Sequence, residues 1–227
     1  MIPTLNRLKR MTQGRQSITA IVAATTSNGI GLNGGLPWRL PGEMKYFARV
    51  TTGESSSSSS PSKVNPDDQN VVIMGRKTWE SIPSKFRPLK DRKNLVISRQ
   101  GIDVSGSVNT SSYSSVTSAL SSIPSSSSAS SLSRLFLIGG SQLYTSSLTS
   151  DPPLVDRVLL TRIIEPEFQC DTFLEDFTSH ASPQNGNKVW RKTSHEEMKE
   201  WVGWDVDEKH EEKGTKYKFE MWVLNDQ

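Results

Sequence analysis

Short runs of apolar and β-branched residues recur along the chain and predict the strands of a sheet. They are SITAIVAAT, NVVIMG, KNLVISR, RLFLIGG and DRVLLTRI, at residues 17–25, 70–75, 93–99, 134–140 and 156–163. Runs this short and this apolar are typical of strands that are buried on both faces. Helical patterns stand between several of them, after Pro41, Arg76 and Ser141. The alternation predicts a single α/β domain with a mostly parallel, mixed central sheet flanked by helices on both faces.

The last part of the chain has a different pattern. From Trp201 onward, apolar and polar residues alternate on each side of a charged turn that ends at Gly214. A period of two on both sides of a turn predicts a C-terminal antiparallel hairpin.

Two serine-rich segments, near residues 54–69 and 105–133, interrupt the pattern. Such segments bury little apolar area, so we interpret them as insertions into one domain that spans residues 17–227. Within the second, we predict one short helix around Val116 to Ile123.

Residues 1–16 form a basic N-terminal extension, which carries Arg7, Lys9, Arg10 and Arg15. No acidic residue precedes Glu43, a composition also typical of mitochondrial leaders. Because the apolar positions give only a weak helical face, we favour a surface extension and a cytoplasmic protein.

The overall composition excludes several classes of protein. A net charge of +3 argues against a dedicated nucleic-acid binder but allows a local basic pocket for an anionic small molecule. The single cysteine, Cys170, excludes an internal disulfide and a clustered metal site. No apolar run approaches the roughly 20 residues that a membrane helix needs. We expect a monomer that requires no metal, membrane or nucleic acid.

The stretch LPWRLPGEMKYF, residues 36–47, places a carboxylate on the apolar face of a predicted helix. Pro41 suits the first turn of that helix, and Leu40, Glu43, Phe47 and Val50 then share one face. One interpretation, which the spacing alone slightly favours, is a solvated acid at the edge of this face. The other is a half-buried acid in a cleft, whose charge needs a cationic or N–H-rich partner, such as the amidine-like edge of a heterocycle.

Three glycine-containing segments follow predicted strands. SNGIGLNGGLPW, residues 27–38, lets backbone approach a ligand and brings Leu36 and Trp38 to the same cleft. GRKTW, residues 75–79, is either a solvated basic patch or a phosphate site at a helix N-terminus. FLIGGSQLY, residues 136–144, is either a tight turn or a close approach to a pyrophosphate, and neither segment has a dinucleotide or P-loop fingerprint.

Taken in order, these motifs resemble those of the eukaryotic-type dihydrofolate reductase family. The resemblance runs from about residue 17 to the C-terminus and also includes EMKYF, SIPSKFRPLKDR, NLVISR, LTRI, DTF and KYKFE. It implies an enzyme that reduces 7,8-dihydrofolate to 5,6,7,8-tetrahydrofolate with NADPH, supplies one-carbon metabolism for thymidylate and purine synthesis, and binds antifolates. It also implies a cis peptide between Gly139 and Gly140.

The resemblance implies roles for residues in each motif. Those implied in catalysis are Leu36, Trp38, Glu43 and Thr161. Those implied to contact substrate are Val22, Ala23, Glu43, Met44, Phe47, Ile82, Phe86, Leu89, Arg92, Ile138, Tyr144 and Thr161. Those implied to contact the cofactor are Ala23, Ile30, Gly31, Gly34, Gly35, Leu36, Gly75, Arg76, Lys77, Thr78, Ser98, Arg99, Gly139, Gly140, Ser141, Gln142, Leu143 and Tyr144.

In the implied reaction, hydride reaches the imine carbon of the pterin and the adjacent nitrogen gains a proton. Glu43 would hold the amino-pyrimidine edge, Thr161 would support that carboxylate, and Trp38 would fix a water; whether Glu43 relays the proton or polarises the pterin stays open. Arg92 would pair with the substrate's glutamate tail. Two alternatives are a reductase of a riboflavin-pathway pyrimidine and a pterin- or nucleotide-binding module without chemistry.

Overall fold

The computed structural model describes residues 16–53, 69–123 and 133–225. The strands are β1 (Ile18–Thr25), β2 (Gly29–Gly31), β3 (Val71–Gly75), β4 (Lys93–Ile97), β5 (Thr110–Tyr113), β6 (Leu135–Leu137), β7 (Arg157–Glu165), β8 (Thr172–Phe173), β9 (Trp190–Lys192), β10 (Lys209–Glu212) and β11 (Thr215–Leu224). The α-helices are α1 (Pro41–Thr52), α2 (Arg76–Ser81), α3 (Val116–Ser121), α4 (Ser141–Leu148) and α5 (His195–Val202). Two 3-10 turns span Ser84–Phe86 and Phe177–Ser179.

Within the described residues, nine strands form a mixed central sheet. Its order is β10-β11-β7-β1-β6-β3-β4-β5, with β9 also paired to β11. The pairs from β7 to β5 are parallel, whereas β11 is antiparallel to β7, β9 and β10. Strands β2 and β8 form a separate two-stranded sheet. The predicted fold class, including the C-terminal hairpin, is therefore confirmed.

Both faces of the sheet are buried, because successive side chains of a strand point to opposite sides. In β3, Val71 and Ile73 pack in one apolar cluster and Val72 and Met74 in the other. The first cluster includes residues of α3 and α4, and the second includes residues of α1, α2 and α5. This two-sided burial explains why the strands are short, continuous apolar runs.

The bounds of α1 follow from its sequence. Pro41 stands at the start, where its missing N–H costs no hydrogen bond. Gly53 ends the helix in the left-handed region, with φ of 81°, and its N–H donates to the carbonyl of Arg49. These two ends fix which face of α1 meets the sheet.

Two local predictions were wrong. The alternation does not begin at Trp201, because Ser194 and Glu197 form a capping box that starts α5, and this helix continues through Val202. The segment 105–133 is not wholly an insertion, because the polar run Thr110–Tyr113 forms edge strand β5, parallel to β4.

Other local predictions were confirmed or lie outside the described residues. The short helix predicted at Val116 is α3. The extension at residues 1–15 and most of the first serine-rich segment, residues 54–68, lie outside the described residues. No helix in the described part of the chain is long and apolar enough to cross a membrane.

Candidate active site

Glu43 is buried in the first turn of α1, with 6% of its surface exposed. Its Oε1 accepts a hydrogen bond of 3.2 Å from the hydroxyl of Thr161, which is itself buried in β7. The interpretation of Glu43 as a solvated acid was therefore wrong. Its helix face also differs from the predicted one, because Tyr46 is buried and Phe47 is only partly buried.

The environment of Glu43 favours its neutral form. Burial raises the pKa of Glu43 from 4.5 to about 7, the Thr161 hydrogen bond opposes the rise, and the negative charge of Glu212 adds to it. No lysine, arginine or histidine of the described chain forms an ion pair with this carboxylate. The cationic partner expected for a buried acid is thus not supplied by these residues.

The surroundings of Glu43 join three strands and a helix. Thr161 lies between Ala23 of β1 and Phe219 of β11 in the sheet register. The ring of Tyr46, on α1, stacks on Phe219 with a centroid distance of 3.8 Å. The Tyr46 hydroxyl is buried and has no hydrogen-bond partner among the described residues, and burial raises its pKa.

The glycine-rich loop is closed by its own backbone hydrogen bonds and held from a distant segment of the chain. Leu32 and Gly35 exchange backbone hydrogen bonds of 3.0 and 2.9 Å, which closes a tight turn around Gly34. The N–H of Asn33 donates to Oδ2 of Asp171, 2.8 Å away. Gly31 pairs with Thr172 in the small sheet, so the loop is held from the segment DTF.

The loop residues Trp38 and Leu36 differ in exposure. Trp38 is buried, packs edge-on against Phe168, and its Nε1 has no hydrogen-bond partner within the described chain. Leu36 is 54% exposed. Ile30, at the start of the loop, packs on the other apolar cluster of the sheet.

The two remaining glycine segments meet at the carboxyl ends of β3 and β6. The N–H of Gly75 donates to the carbonyl of Gly139 over 2.7 Å. A Cβ placed on Gly75 would lie 3.6 Å from the nitrogen of Gly140 and 3.7 Å from Cδ1 of Leu143. A Cβ on Gly140 would lie 3.2 Å from Oγ1 of Thr78. The cis peptide between Gly139 and Gly140 is confirmed.

Tyr144, in the first turn of α4, ties this junction to the centre of the sheet. Its hydroxyl donates to the carbonyl of Ile21 in β1, 2.6 Å away. The same ring lies against Gly139, where a Cβ would be 3.0 Å from Cε2. Ile138 precedes the glycines and pairs with Ile73 through its N–H. Ser141 and Gln142 begin α4 at the same junction.

The predicted phosphate-binding cations lie at the ends of adjacent strands. Gly75 and Ile97 are paired in the sheet, so Arg76 and Ser98 begin neighbouring segments. Nη1 of Arg76 donates to both carboxylate oxygens of Glu80, at 2.9 and 3.1 Å. Lys77 and Arg99 are exposed, and Ser98 is buried with its hydroxyl bonded to the carbonyl of Gly101.

Many residues of the predicted site are apolar. In the described chain, six large apolar residues are exposed, and three of them, Leu36, Met44 and Phe86, belong to the predicted site. Five further predicted residues, which are partly buried, pack against the apolar cluster that contains Trp38: Ala23, Phe47, Ile82, Leu89 and Ile138. Val22, on the opposite side of β1, is buried in the other cluster.

Arg92 is buried at the far end of α1. Its Nη1 donates to Oγ1 of Thr51 over 2.7 Å, and its Nε donates to the carbonyl of Lys90 over 2.8 Å. Glu43 and Thr51 stand near opposite ends of the same helix. This single helix therefore connects the buried acid to a buried guanidinium group.

Sequence reasoning missed the residues that approach the site from distant segments. Asp171 belongs to the motif DTF, which contributed to the resemblance. No sequence pattern predicted that Asp171 accepts a hydrogen bond from Asn33. Glu212, which accepts a hydrogen bond from Gly42, stands in a charged run that looks like a solvated turn. Both contacts join residues more than 130 positions apart, which no local pattern reports.

The comparisons with known proteins match this chain to one family. A family model described as dihydrofolate reductase matches residues 17–56 and 66–222. The chain is 58% identical over 226 residues to a dihydrofolate reductase of Cryptococcus neoformans, which covers 92% of this chain and 95% of the relative. It is 41% identical to a dihydrofolate reductase of Pneumocystis carinii, a match that covers 92% of this chain and 97% of the relative. It is 38% identical to a dihydrofolate reductase of Mus musculus, a match that covers 92% of this chain and 98% of the relative. This chain belongs to the dihydrofolate reductase family.

Proposed function

We propose that the chain reduces 7,8-dihydrofolate to 5,6,7,8-tetrahydrofolate with NADPH, and that Glu43 holds the reacting pterin. The observation that carries this proposal is the buried carboxylate of Glu43, which receives a single hydrogen bond from Thr161 among the described residues. The amino-pyrimidine edge of a pterin presents two adjacent N–H donors, which suit the two oxygens of a carboxylate. Such an edge would supply the partner that a buried acid needs.

The pKa of Glu43 suits this role. A pKa of about 7 lets the carboxyl group gain and lose a proton near neutral pH. The ionised form accepts hydrogen bonds from the pterin edge, and this interaction polarises the ring whose imine is reduced. The balance of the step is one hydride to the imine carbon and one proton, ultimately from solvent, to the adjacent nitrogen. The glycine-rich loop with Leu36 and Trp38 would control the access of that solvent.

The junction of the two glycine segments fits NADPH. Gly75 and Gly140 let the two segments pack closely on each other, because a Cβ on Gly140 would lie 3.2 Å from Oγ1 of Thr78. We assign the pyrophosphate of the cofactor to this junction. When bound, NADPH supplies the hydride. We assign Arg76, Lys77 and Arg99 to the 2′-phosphate end, which favours NADPH over NADH. Arg76 would exchange its exposed pair with Glu80 for that phosphate.

The remaining contacts position the substrate. Met44 and Phe86, with the partly buried Phe47, Ile82 and Leu89, would enclose the benzoyl part and the ring of an antifolate. Arg92 would bind the carboxylate of the glutamate tail, with Thr51 holding its guanidinium group in place. A monomeric state and a cytoplasmic location complete the proposal.

The test is the loss of NADPH absorbance with dihydrofolate present, repeated with NADH and without dihydrofolate. We expect oxidation that depends on dihydrofolate and prefers NADPH. Binding of dihydrofolate without any oxidation would instead support a pterin-binding module, and no binding at all would exclude both functions.

A further inference from the structure

The C-terminal hairpin contacts the start of the helix that carries Glu43. Oε2 of Glu212, in β10, accepts a hydrogen bond of 2.9 Å from the N–H of Gly42. The hydroxyl of Tyr217, in β11, lies beside the same carboxylate, and burial together with this charge raises the pKa of Tyr217. Gly42 fits tightly here, because a Cβ on it would lie 3.0 Å from Glu212 Oε2 and 3.1 Å from the Tyr217 hydroxyl oxygen.

We propose that Glu212 is a positioning residue, which fixes the first turn of α1 and the adjacent Glu43 carboxylate from the C-terminal hairpin. The proposal rests on the function proposed for Glu43. A carboxylate at the N-terminus of a helix binds a backbone N–H that has no partner within the helix. Because Gly42 immediately precedes Glu43, this contact restrains the backbone from which the Glu43 side chain extends.

Aromatic packing makes the hairpin a rigid support for this contact. His210 of β10 stacks on Tyr217 across the hairpin, with a centroid distance of 5.1 Å and an interplanar angle of 12°. Tyr217 in turn meets Phe219 edge-on at 5.6 Å. Phe219 stacks on Tyr46, which lies three positions after Glu43 on α1. The hairpin thus holds α1 both at its first backbone N–H groups and along its buried face.

Glu212 also acts on Glu43 through its charge. Among the described residues, the groups that interact with Glu43 through a hydrogen bond or through charge are Thr161 of β7, Tyr46 of α1, Tyr144 of α4, Tyr217 of β11 and Glu212 of β10. Four of them carry neutral hydroxyl groups at neutral pH, and burial and nearby carboxylates raise the pKa of Tyr217 to about 12. The ionised carboxylate of Glu212 therefore repels the ionised form of Glu43.

The experiment compares Glu212→Gln with Glu211→Gln. The glutamine at 212 removes the charge and so weakens the charge-assisted hydrogen bond that this position accepts from Gly42. Glu211 is exposed and points to the opposite face of β10, so its variant controls for the loss of one negative charge from the hairpin. Circular dichroism checks that both variants fold. A third variant, Tyr217→Phe, removes the hydroxyl beside Glu212 and leaves the charge of Glu212.

The readout that does not depend on turnover is titration of the Glu43 carboxyl group by NMR in protein labelled with [5-13C]glutamate. The resonance of Glu43 is identified by its loss in Glu43→Gln. We expect Glu212→Gln to lower the pKa of Glu43 by up to about one unit, because a like charge nearby disfavours ionisation. Glu211→Gln should leave that pKa unchanged. Tyr217→Phe should retain the high pKa.

The second readout is the pH profile of dihydrofolate reduction. We expect Glu212→Gln to move the inflection of kcat/KM to lower pH and to raise KM for dihydrofolate by roughly two- to five-fold, the size of a helix-terminus interaction. KM for NADPH should not change. Identical titrations of Glu212→Gln and Glu211→Gln would overturn the proposal, whether or not the protein is active. An inactive wild-type protein with a shifted Glu43 titration would instead contradict the proposed function alone.

Discussion

At the scale of single residues, Glu43 combines a cost in stability with the role in pterin binding that we propose for it. Periodicity placed this residue on the apolar face of α1, but the sequence left open whether it was buried or solvated. Whether Glu43 is buried depends on Tyr46, Thr161 and Phe219, which come together only when β7 and β11 pair. A local pattern contains no information about that pairing, so burial could not be predicted from it.

The raised pKa of Glu43 predicts how stability changes with pH. Between its unfolded value of 4.5 and its folded value of about 7, the folded state binds more protons than the unfolded state. The free energy of unfolding therefore falls as pH rises through this window, by a total of about 3 kcal/mol. Glu43→Gln removes this penalty, so its stability relative to wild type should increase from about pH 5 to about pH 8.

Denaturant unfolding of both proteins across this pH range measures the effect. Glu200→Gln, an exposed residue of α5, is the matched control and should follow the wild-type curve. A constant difference between Glu43→Gln and wild type would show that Glu43 titrates normally.

At the scale of elements, the apolar strands were predictable, because burial on both faces leaves a continuous apolar run. Helices with a proline or glycine at an end were also predictable. Strand β5 escaped prediction because TSSY is an edge strand with polar, largely exposed side chains. The end of α5 was misassigned because its tryptophan and valine also fit a period of two. In both cases the deciding factor was a neighbouring element, namely β4 for the strand and the Ser194 cap for the helix.

At Gly139, an element junction depends on the absence of a side chain. This glycine has a φ of 106° and lies against the Tyr144 ring, so Gly139→Ala adds both backbone strain and a contact of 3.0 Å. We expect a loss of about 1–3 kcal/mol in stability and weaker NADPH binding. Thermal unfolding and NADPH titration measure these two effects.

Gly186→Ala is the control, because Gly186 has a φ of 72° and no neighbouring atom lies within 4 Å of the position that its Cβ would take. It should lose only the cost of the left-handed conformation, about 1 kcal/mol, with NADPH binding unchanged. Equal losses in the two variants would show that the Tyr144 contact has no role.

At the scale of the whole molecule, the family match is interrupted only in the first serine-rich segment. The family model matches up to residue 56 and resumes at residue 66. The described residues on either side are close, since a Cβ on Gly53 would lie 2.9 Å from Nδ2 of Asn70. A much shorter connection could therefore join α1 to β3.

We predict that deletion of residues 57–65 leaves the fold and turnover intact. Loop-closure entropy depends only weakly on loop length, so stability should change by less than about 1 kcal/mol. Denaturant unfolding and steady-state kinetics test this directly. A deletion variant that folds but loses turnover would assign the segment a part in catalysis.

The central claim is that the buried carboxylate of Glu43 serves the chemistry on the pterin and not the binding of NADPH. The most direct measurement is kcat for dihydrofolate reduction by Glu43→Gln, together with its dissociation constant for NADPH and with Glu200→Gln as control. We predict that kcat falls by roughly 100-fold or more, the size of a lost acid–base group, while NADPH affinity is retained and the control behaves as wild type. A Glu43→Gln enzyme with unchanged kcat would contradict the account.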